Sequence, residues 1–175
     1  MNPAFLKAFE LTLGKEGGYS DDPQDRGNWT SGQIGVGELK GTKFGISAAS
    51  YSSEDIKVLT ILRAQEIYYN DFWFPLWLDD VLSAAVAAEI FDTAVNAGKT
   101  KAIQIAQQAL NYLGAELAVD GKIGSETVKA INAYKDERAL LKTLNGLQFM
   151  HYFSIVTQFP EKQKYARGWL RRIEI

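Results

Sequence analysis

The stretch Glu16-Gly17-Gly18-Tyr19 follows a helical pattern near the beginning of the chain. Upstream of it, Phe5, Phe9 and Leu13 repeat every four residues, which predicts an amphipathic helix with one apolar face. At ~100° per residue, Glu16 returns to nearly the azimuth of Phe5, so the pattern directs its carboxylate along the core-facing side. The two glycines predict the end of this helix, because glycine tolerates the left-handed backbone of a helix stop.

This arrangement makes Glu16 a candidate catalytic acid. Burial beside a helix end disfavours the charged form of a carboxyl group, so its pKa is expected above the ordinary ~4.3. The alternative interpretation is a solvated residue in the last helical turn, followed by an ordinary glycine cap. For a lone Glu-Gly-Gly sequence the alternative is the commoner outcome, so the assignment needs further residues.

The composition narrows the classes of function. The chain has 175 residues, 46% apolar and 23% charged, which is ordinary for a globular protein with a real core. A net charge of −2 provides no bulk field to recruit nucleic acid or an anionic membrane. Cysteine is absent, which excludes disulfides and thiolate catalysis, and the single histidine, His151, is interpreted as structural. We therefore expect no metal and no cofactor.

The hydrophobic pattern predicts a mainly α fold. Five glycines among the apolar residues of the segment 31–46 favour short strands, so we expect a small β-hairpin or sheet near residues 28–46. From Glu54 onward the chain reads as helical, and its longest periodic segment, residues 137–158, ends before a proline. Without a Pro- or Ser-rich linker, residues 1–175 are predicted to form a single compact domain.

A second acidic group and a hydroxyl follow the Glu-Gly-Gly stretch at short spacing. Asp25 lies nine residues after Glu16, and Thr30 lies five residues further on. Cleavage of a glycosidic bond needs an acid for the leaving oxygen and a carboxylate that activates water or stabilises positive charge. The alternative is that Asp22 and Asp25 are turn residues that accept hydrogen bonds from their own backbone. Spacing alone leaves both interpretations open.

Several motifs, in order along the chain, resemble glycoside hydrolase family 108. The opening motif comprises Glu16-Gly17-Gly18-Tyr19, Asp22-Pro23, Asp25, Gly27 and residues 42–47. Later matches to the same family lie at residues 68–73, 91–98, 119–124 and 168–172. The resemblance covers essentially the whole chain. It implies a lysozyme-like α+β fold and cleavage of peptidoglycan, with residues 1–98 as the catalytic portion and 99–175 as an integral helical portion that resembles a peptidoglycan-binding region.

The resemblance also implies roles for individual residues. Glu16 takes the position of the family's proposed catalytic acid, and Asp25 is then the carboxylate that activates water or stabilises positive charge. The Glu-to-Asp spacing is similar to that of phage-type lysozymes, where a threonine follows the aspartate closely. Residues 28–41 resemble an insertion, so Thr30 (by spacing) and Thr42 (by motif) compete for the role of orienting the water.

Further candidates concern substrate binding. Tyr19, Trp73 and Trp77 offer aromatic faces for sugar rings, although tryptophans are more often core residues. Asp22 belongs to the opening motif. Asp92 and Asn96 lie four residues apart on one face of a predicted helix over residues 82–97, where they either line a cleft or satisfy neighbouring groups. We expect the helix before Glu16, the segment 28–46 and the helix 82–97 to form the walls of one cleft.

The function that these observations predict is that of an N-acetylmuramidase, a lysozyme that cleaves the β-1,4 bond between N-acetylmuramic acid and N-acetylglucosamine. The alternatives are a lytic transglycosylase and a non-catalytic protein that binds the wall or activates secretion. The expected partner is bacterial peptidoglycan, bound by a monomer, with no nucleic acid and no stable membrane insertion. No Sec signal is visible. The resemblance to phage endolysins implies synthesis in the cytoplasm, holin-type export and action on the cell wall.

Overall fold

The computed structural model describes residues 2–14 and 18–173, and the chain divides into two compact units. We call Phe9–Asn70 the loop unit, and Met1–Ala8 together with Asp71–Ile175 the helical unit. Whether the chain is a single domain, as the sequence predicts, stays a prediction.

Helix α1, Pro3–Leu13, begins at a side-chain cap and ends at a glycine. The Ala4 N–H donates to Asn2 Oδ1 at 2.8 Å, which satisfies a free donor of the first turn. Gly14 follows the helix with φ 61°, and its N–H donates to the Glu10 carbonyl at 2.9 Å. The prediction that the helix continues to Glu16 is therefore wrong, because this earlier glycine takes the left-handed conformation that stops it. Residues 15–17, with Glu16, lie outside the described residues.

Turns and a small sheet make up most of the loop unit. A single 3-10 turn spans Arg26–Asn28. Strand β1, Thr42–Lys43, pairs antiparallel with β2, Ile46–Ser47. Isolated bridges join Ser20 to Thr42 and Trp29 to Leu39. The predicted fold class, mainly α with a small β-hairpin, is confirmed.

Helix α2, Ile61–Tyr68, completes the loop unit and supports the hairpin. The Thr60 side chain caps it by accepting from the Arg63 N–H at 3.2 Å. At the other end, the Tyr68 hydroxyl donates to the carbonyl of Phe44, the residue that turns β1 into β2, at 3.2 Å. The Tyr68 ring also meets Phe9 edge to face at 5.6 Å. This helix therefore fixes the hairpin through one buried aromatic side chain.

The helical unit contains long helices that pack through apolar faces. Besides the start of α1, the α-helices among the described residues of this unit are α3 (Ala84–Ala97), α4 (Lys99–Tyr112), α5 (Ser125–Ala133), α6 (Glu137–Gln158) and α7 (Ala166–Leu170). A π-helical segment, Tyr69–Trp73, continues the chain from α2, and short 3-10 turns lead from it to α3. Helices α3 and α6 both pack against α4, and α7 packs on α6.

The centre of the helical unit is an aromatic cluster. Phe5, Trp73 and Phe91 contact one another edge to face, with ring centroids 5.4–5.8 Å apart. All three side chains are fully buried. Such contacts add to the free energy of burial, so this cluster contributes strongly to the stability of the unit. None of the helices within residues 2–14 and 18–173 is both long and apolar enough to cross a membrane.

Candidate active site

The two candidate aspartates of the loop unit both make turn hydrogen bonds. Asp22 Oδ1 accepts from the Gln24 N–H at 2.9 Å, and Asp25 Oδ1 accepts from the Gly27 N–H at 2.8 Å. Asp25 thereby caps the 3-10 turn that begins at Arg26. Both side chains are exposed. Both aspartates therefore accept hydrogen bonds from the backbone of their own turn, which is the alternative that the sequence left open. In each carboxylate, the second oxygen takes no part in these bonds.

A buried asparagine connects this turn to strand β1. Asn28 is 0% exposed, and its Nδ2 donates to the Asp22 carbonyl at 3.0 Å. Its backbone N–H donates to the Asp25 carbonyl at 3.1 Å. Its Oδ1 accepts from the Thr42 hydroxyl at 2.7 Å. One residue therefore joins three of the candidate residues into a single network, through its side chain to Asp22 and Thr42 and through its backbone to Asp25.

Asn28 was not among the residues proposed from the sequence. An asparagine next to Asp, Pro and Gly is typical of a solvated turn, so its residue type carried no signal for burial. Its backbone carbonyl also accepts from the N–H groups of Lys40 and Gly41, both at 3.0 Å. These bonds bring the end of the segment 28–41 back to its beginning, so the segment closes into a compact loop.

The two candidate threonines have different surroundings. Thr30 Oγ1 accepts from the Glu38 N–H at 2.9 Å, inside the loop that the Trp29–Leu39 bridge closes. Thr42 is half-buried, and its backbone exchanges two hydrogen bonds with Ser20. The Thr42 N–H donates to the Ser20 carbonyl at 2.8 Å, and the Ser20 N–H donates to the Thr42 carbonyl at 2.9 Å. Thr30 therefore shapes the loop, whereas the hydroxyl of Thr42 belongs to the Asn28 network.

Tyr19 lies beside the same strand. A Cβ placed on Gly41 would lie 2.6 Å from Tyr19 Cε2, so the ring rests directly on this glycine. Partial burial and, to a lesser extent, the nearby carboxylates of Asp21 and Asp55 raise the pKa of the Tyr19 hydroxyl. At neutral pH the side chain is thus a neutral aromatic donor, which suits a contact with sugar hydroxyls. The loop unit brings Tyr19 together with the Asn28 network.

Trp73, predicted as a sugar platform, is a core residue of the helical unit. It is 0% exposed, and its Nε1 donates to Asp79 Oδ1 at 2.9 Å. A ring with no exposed surface cannot stack on a sugar, so Trp73 leaves the proposed site. Trp77 is 45% exposed and adopts a left-handed backbone with φ 52°.

Asp92 and Asn96 of α3 both have partners inside the helical unit. Asp92, with a side chain 14% exposed, forms an ion pair with Arg172 at 2.7 Å. Asn96 Nδ2 donates to the Asp92 backbone carbonyl at 2.7 Å. Close by on α7, Trp169 stacks on Tyr152 with ring centroids 5.0 Å apart. These contacts secure the C-terminal segment on α3 and α6, and a role of Asp92 and Asn96 in substrate binding stays a prediction.

Across the part of the chain that the structure describes, no group of three or more His, Asp or Glu side chains is placed to hold a metal ion.

The comparisons with known proteins agree with this architecture. The solved structure of Brucella abortus SagA matches with a TM-score of 0.68 over 97% of this chain and 88% of that chain. At 24% identity, this likeness shows the fold alone. No curated protein sequence matches the chain.

The sequence profile described as Glycosyl hydrolase 108 matches residues 9–98, and the chain belongs to this family. A second profile, described as Predicted Peptidoglycan domain, matches residues 101–174. The first match contains Glu16, the Asp22–Asn28 turn and Thr42. Together the two matches support a glycoside hydrolase that acts on peptidoglycan.

Proposed function

We propose that this protein is an N-acetylmuramidase that hydrolyses the β-1,4 bond between N-acetylmuramic acid and N-acetylglucosamine. The observation that carries the proposal is the match of residues 9–98 to a glycosyl hydrolase family, a range that contains both Glu16 and Asp25. Residues 101–174 then bind the same polymer. The protein acts on the cell wall as a monomer, with export of the phage type.

In the proposed reaction, Glu16 donates a proton to the glycosidic oxygen as the bond from C1 to that oxygen breaks. Water attacks C1 from the opposite face, and Asp25 takes the proton that the water loses. Asp25 suits this role because Oδ1 is engaged by the Gly27 N–H, whereas Oδ2 is left for a second interaction. The hydrogen bond from the Gly27 N–H also fixes the orientation of the Asp25 carboxylate, whereas an exposed aspartate without such a bond would rotate freely.

The stereochemical proposal is a single displacement with inversion at C1. An inverting pair needs ~6.5–9.5 Å between carboxyl groups, which leaves room for the water, whereas ~5–5.5 Å favours a covalent intermediate. The spacing of Glu16 and Asp25 along the chain is similar to that of phage-type lysozymes, which invert. Proton NMR of the first-formed product decides: an α-anomer supports inversion, and a β-anomer contradicts it.

Clearing of purified peptidoglycan, followed by analysis of the released sugars, tests the activity. Glu16→Gln and Asp25→Asn should both lose most of the turnover and still sediment with peptidoglycan. Asp21→Asn is the matched control, an exposed aspartate of the same loop, and should keep wild-type turnover. Lysis by a folded Glu16→Gln variant would contradict the assignment of the acid. A product that carries an anhydro sugar would identify a lytic transglycosylase. Binding to peptidoglycan without cleavage would identify a non-catalytic wall protein.

A further inference from the structure

We propose that Asn28 is a positioning residue that orients the Thr42 hydroxyl to accept a hydrogen bond from the attacking water, and that Thr42 rather than Thr30 holds this water. The inference rests on the proposed hydrolysis. It adds a residue that the sequence did not suggest and decides between two threonines that the sequence left open.

The orientation of the Asn28 amide follows from its partners. The Asp22 carbonyl, 3.0 Å from the amide, is an acceptor, so the amide must present its NH₂ group there. The amide oxygen then faces the opposite way, towards Thr42. Since Asn28 is 0% exposed, solvent offers no alternative partner and the amide cannot turn over at low cost.

The orientation of Thr42 follows in turn. An amide oxygen only accepts, so the Thr42 hydroxyl must donate its proton across the 2.7 Å contact with Asn28 Oδ1. With its proton committed, the hydroxyl oxygen is left as an acceptor for another group. A water that donates one proton to Thr42 and the other to Asp25 keeps a lone pair free for attack on C1.

Thr30 has the opposite pattern. Its hydroxyl oxygen already accepts from the Glu38 N–H at 2.9 Å, and no described residue receives its proton. A water at Thr30 would accept that proton in a hydrogen bond, which engages one of its lone pairs and makes its oxygen a weaker nucleophile. A Cβ on Gly37 would lie 2.5 Å from Thr30 Oγ1, so this hydroxyl is also enclosed by its own loop.

Asn28 also sets the position of Asp25, the group that takes the proton of the water. Its N–H donates to the Asp25 carbonyl at 3.1 Å, and the next bond in the same turn, from Gly27 N–H to Asp25 Oδ1, measures 2.8 Å. One residue thus fixes both Asp25 and Thr42. Since misplacement of a reacting group by ~1 Å can cost about 100-fold in rate, such a shared support has a large effect on kcat.

The first test compares threonine variants in kcat and KM on solubilised glycan chains. Thr42→Val, which keeps the shape and loses the hydroxyl, should lower kcat about 10- to 100-fold with KM little changed. Thr42→Ser should retain most of the activity. Thr30→Val is the matched control and should keep a kcat within about twofold of wild type. The reverse ranking of the Thr42→Val and Thr30→Val variants would overturn the inference.

The second test uses Asn28→Asp and the pH dependence of kcat. A protonated carboxyl group resembles the amide, because its carbonyl oxygen accepts from Thr42 and its O–H donates to the Asp22 carbonyl. An ionised group has no donor for that carbonyl. The ratio of variant kcat to wild-type kcat should therefore rise as the pH falls, with circular dichroism confirming the fold at each pH. A ratio that does not change with pH would overturn the positioning role.

The two tests also separate this inference from the proposed function. In the double variant Asn28→Asp/Thr42→Val, the loss of kcat should be no larger than that of Thr42→Val alone, because the asparagine side chain acts through the threonine and the backbone bond to Asp25 is kept in the variant. Additive losses would contradict this. If wild type cleaves, Glu16→Gln does not, and Thr42→Val is fully active, only the inference fails. If wild type does not cleave peptidoglycan, the proposed function and the inference fail together.

Discussion

The loop unit and the helical unit hold their candidate residues in different ways. In the loop unit, the position of Thr42 depends on one hydrogen bond to the buried Asn28, on two backbone bonds to Ser20 and on glycines with positive φ, such as Gly41. In the helical unit, Trp73 and Phe91 are positioned by the close packing of large apolar rings. The geometry of the loop unit is therefore sensitive to individual polar atoms and backbone angles, and that of the helical unit to side-chain volume.

This difference separates the effects of substitution. Loss of volume in a core of long helices leaves a cavity that the surroundings only partly fill. In a turn-rich loop, little volume is buried, and the cost arises from an unsatisfied polar group or a backbone angle that the new residue cannot adopt.

The largest effect is expected for Trp73→Ala in the helical unit. Removal of this fully buried ring should lower the free energy of unfolding by about 3–5 kcal/mol, measured by urea denaturation. Phe74→Ala is the matched control, because Phe74 is the next residue along the chain and is 64% exposed. Its loss of unfolding free energy should stay below about 1 kcal/mol. A Trp73→Ala variant of unchanged stability but reduced substrate binding would restore the sugar-platform interpretation.

A smaller loss is expected for Gly41→Ala in the loop unit. The new Cβ would lie 2.5 Å from the Ser20 carbonyl oxygen, with φ at +83°. We expect a loss of about 2–3 kcal/mol from strain and contact together. Gly35→Ala isolates the strain, because its φ is +77° and the added Cβ meets nothing within 4 Å. Its loss should be about 1 kcal/mol. Equal losses in the two variants would show that the close contact is relieved at no cost.

The contrast also explains what the sequence could predict. Periodicity placed α6 at residues 137–158, as the structure has it, because a long helix repeats the same signal over many turns. The end of α1 was misplaced, since several nearby glycines can each stop a helix and the sequence does not say which adopts a positive φ. In the site, Asn28 was missed because the sequence does not distinguish an asparagine that is buried in a turn from one that is exposed there. Pairings between distant segments, such as Asp92 with Arg172, depend on tertiary packing that no local pattern encodes.

The ion pair between Asp92 and Arg172 is the next test, and it concerns how the C-terminal segment is held. The side chains are 14% and 29% exposed, so the pair is partly shielded from solvent. Asp92→Asn and Arg172→Gln should show a coupling free energy of about 1 kcal/mol in a double-mutant cycle. Arg171→Gln, an exposed neighbour, should show no coupling to Asp92→Asn. Absence of coupling for Arg172 would show that this ion pair does not hold the C-terminal segment.

The smallest effect is expected from His151, and it appears only as a dependence on pH. Partial burial in the helical unit and, second to it, the positive charge of Lys101 lower the pKa of the His151 imidazole in the folded protein. Above the ordinary pKa of ~6.5 the imidazole is neutral in both states, so its contribution to stability is fully present. As the pH falls below that value, the unfolded chain takes up a proton that the folded protein resists, and stability is lost.

His151→Gln should therefore show a shallower decrease in melting temperature than wild type between pH 7.5 and pH 5.5. Lys101→Gln should flatten the profile in part, because it removes only the second cause. Asp120 also has a lowered pKa, through hydrogen bonds from Lys122 and Gln107, but its contribution is lost in a more acidic range near the carboxylate pKa. The chosen window thus separates the histidine from the carboxylates. Parallel profiles for wild type and His151→Gln would mean that the imidazole titrates equally in the folded and unfolded states, and that its surroundings on α6 do not resist protonation.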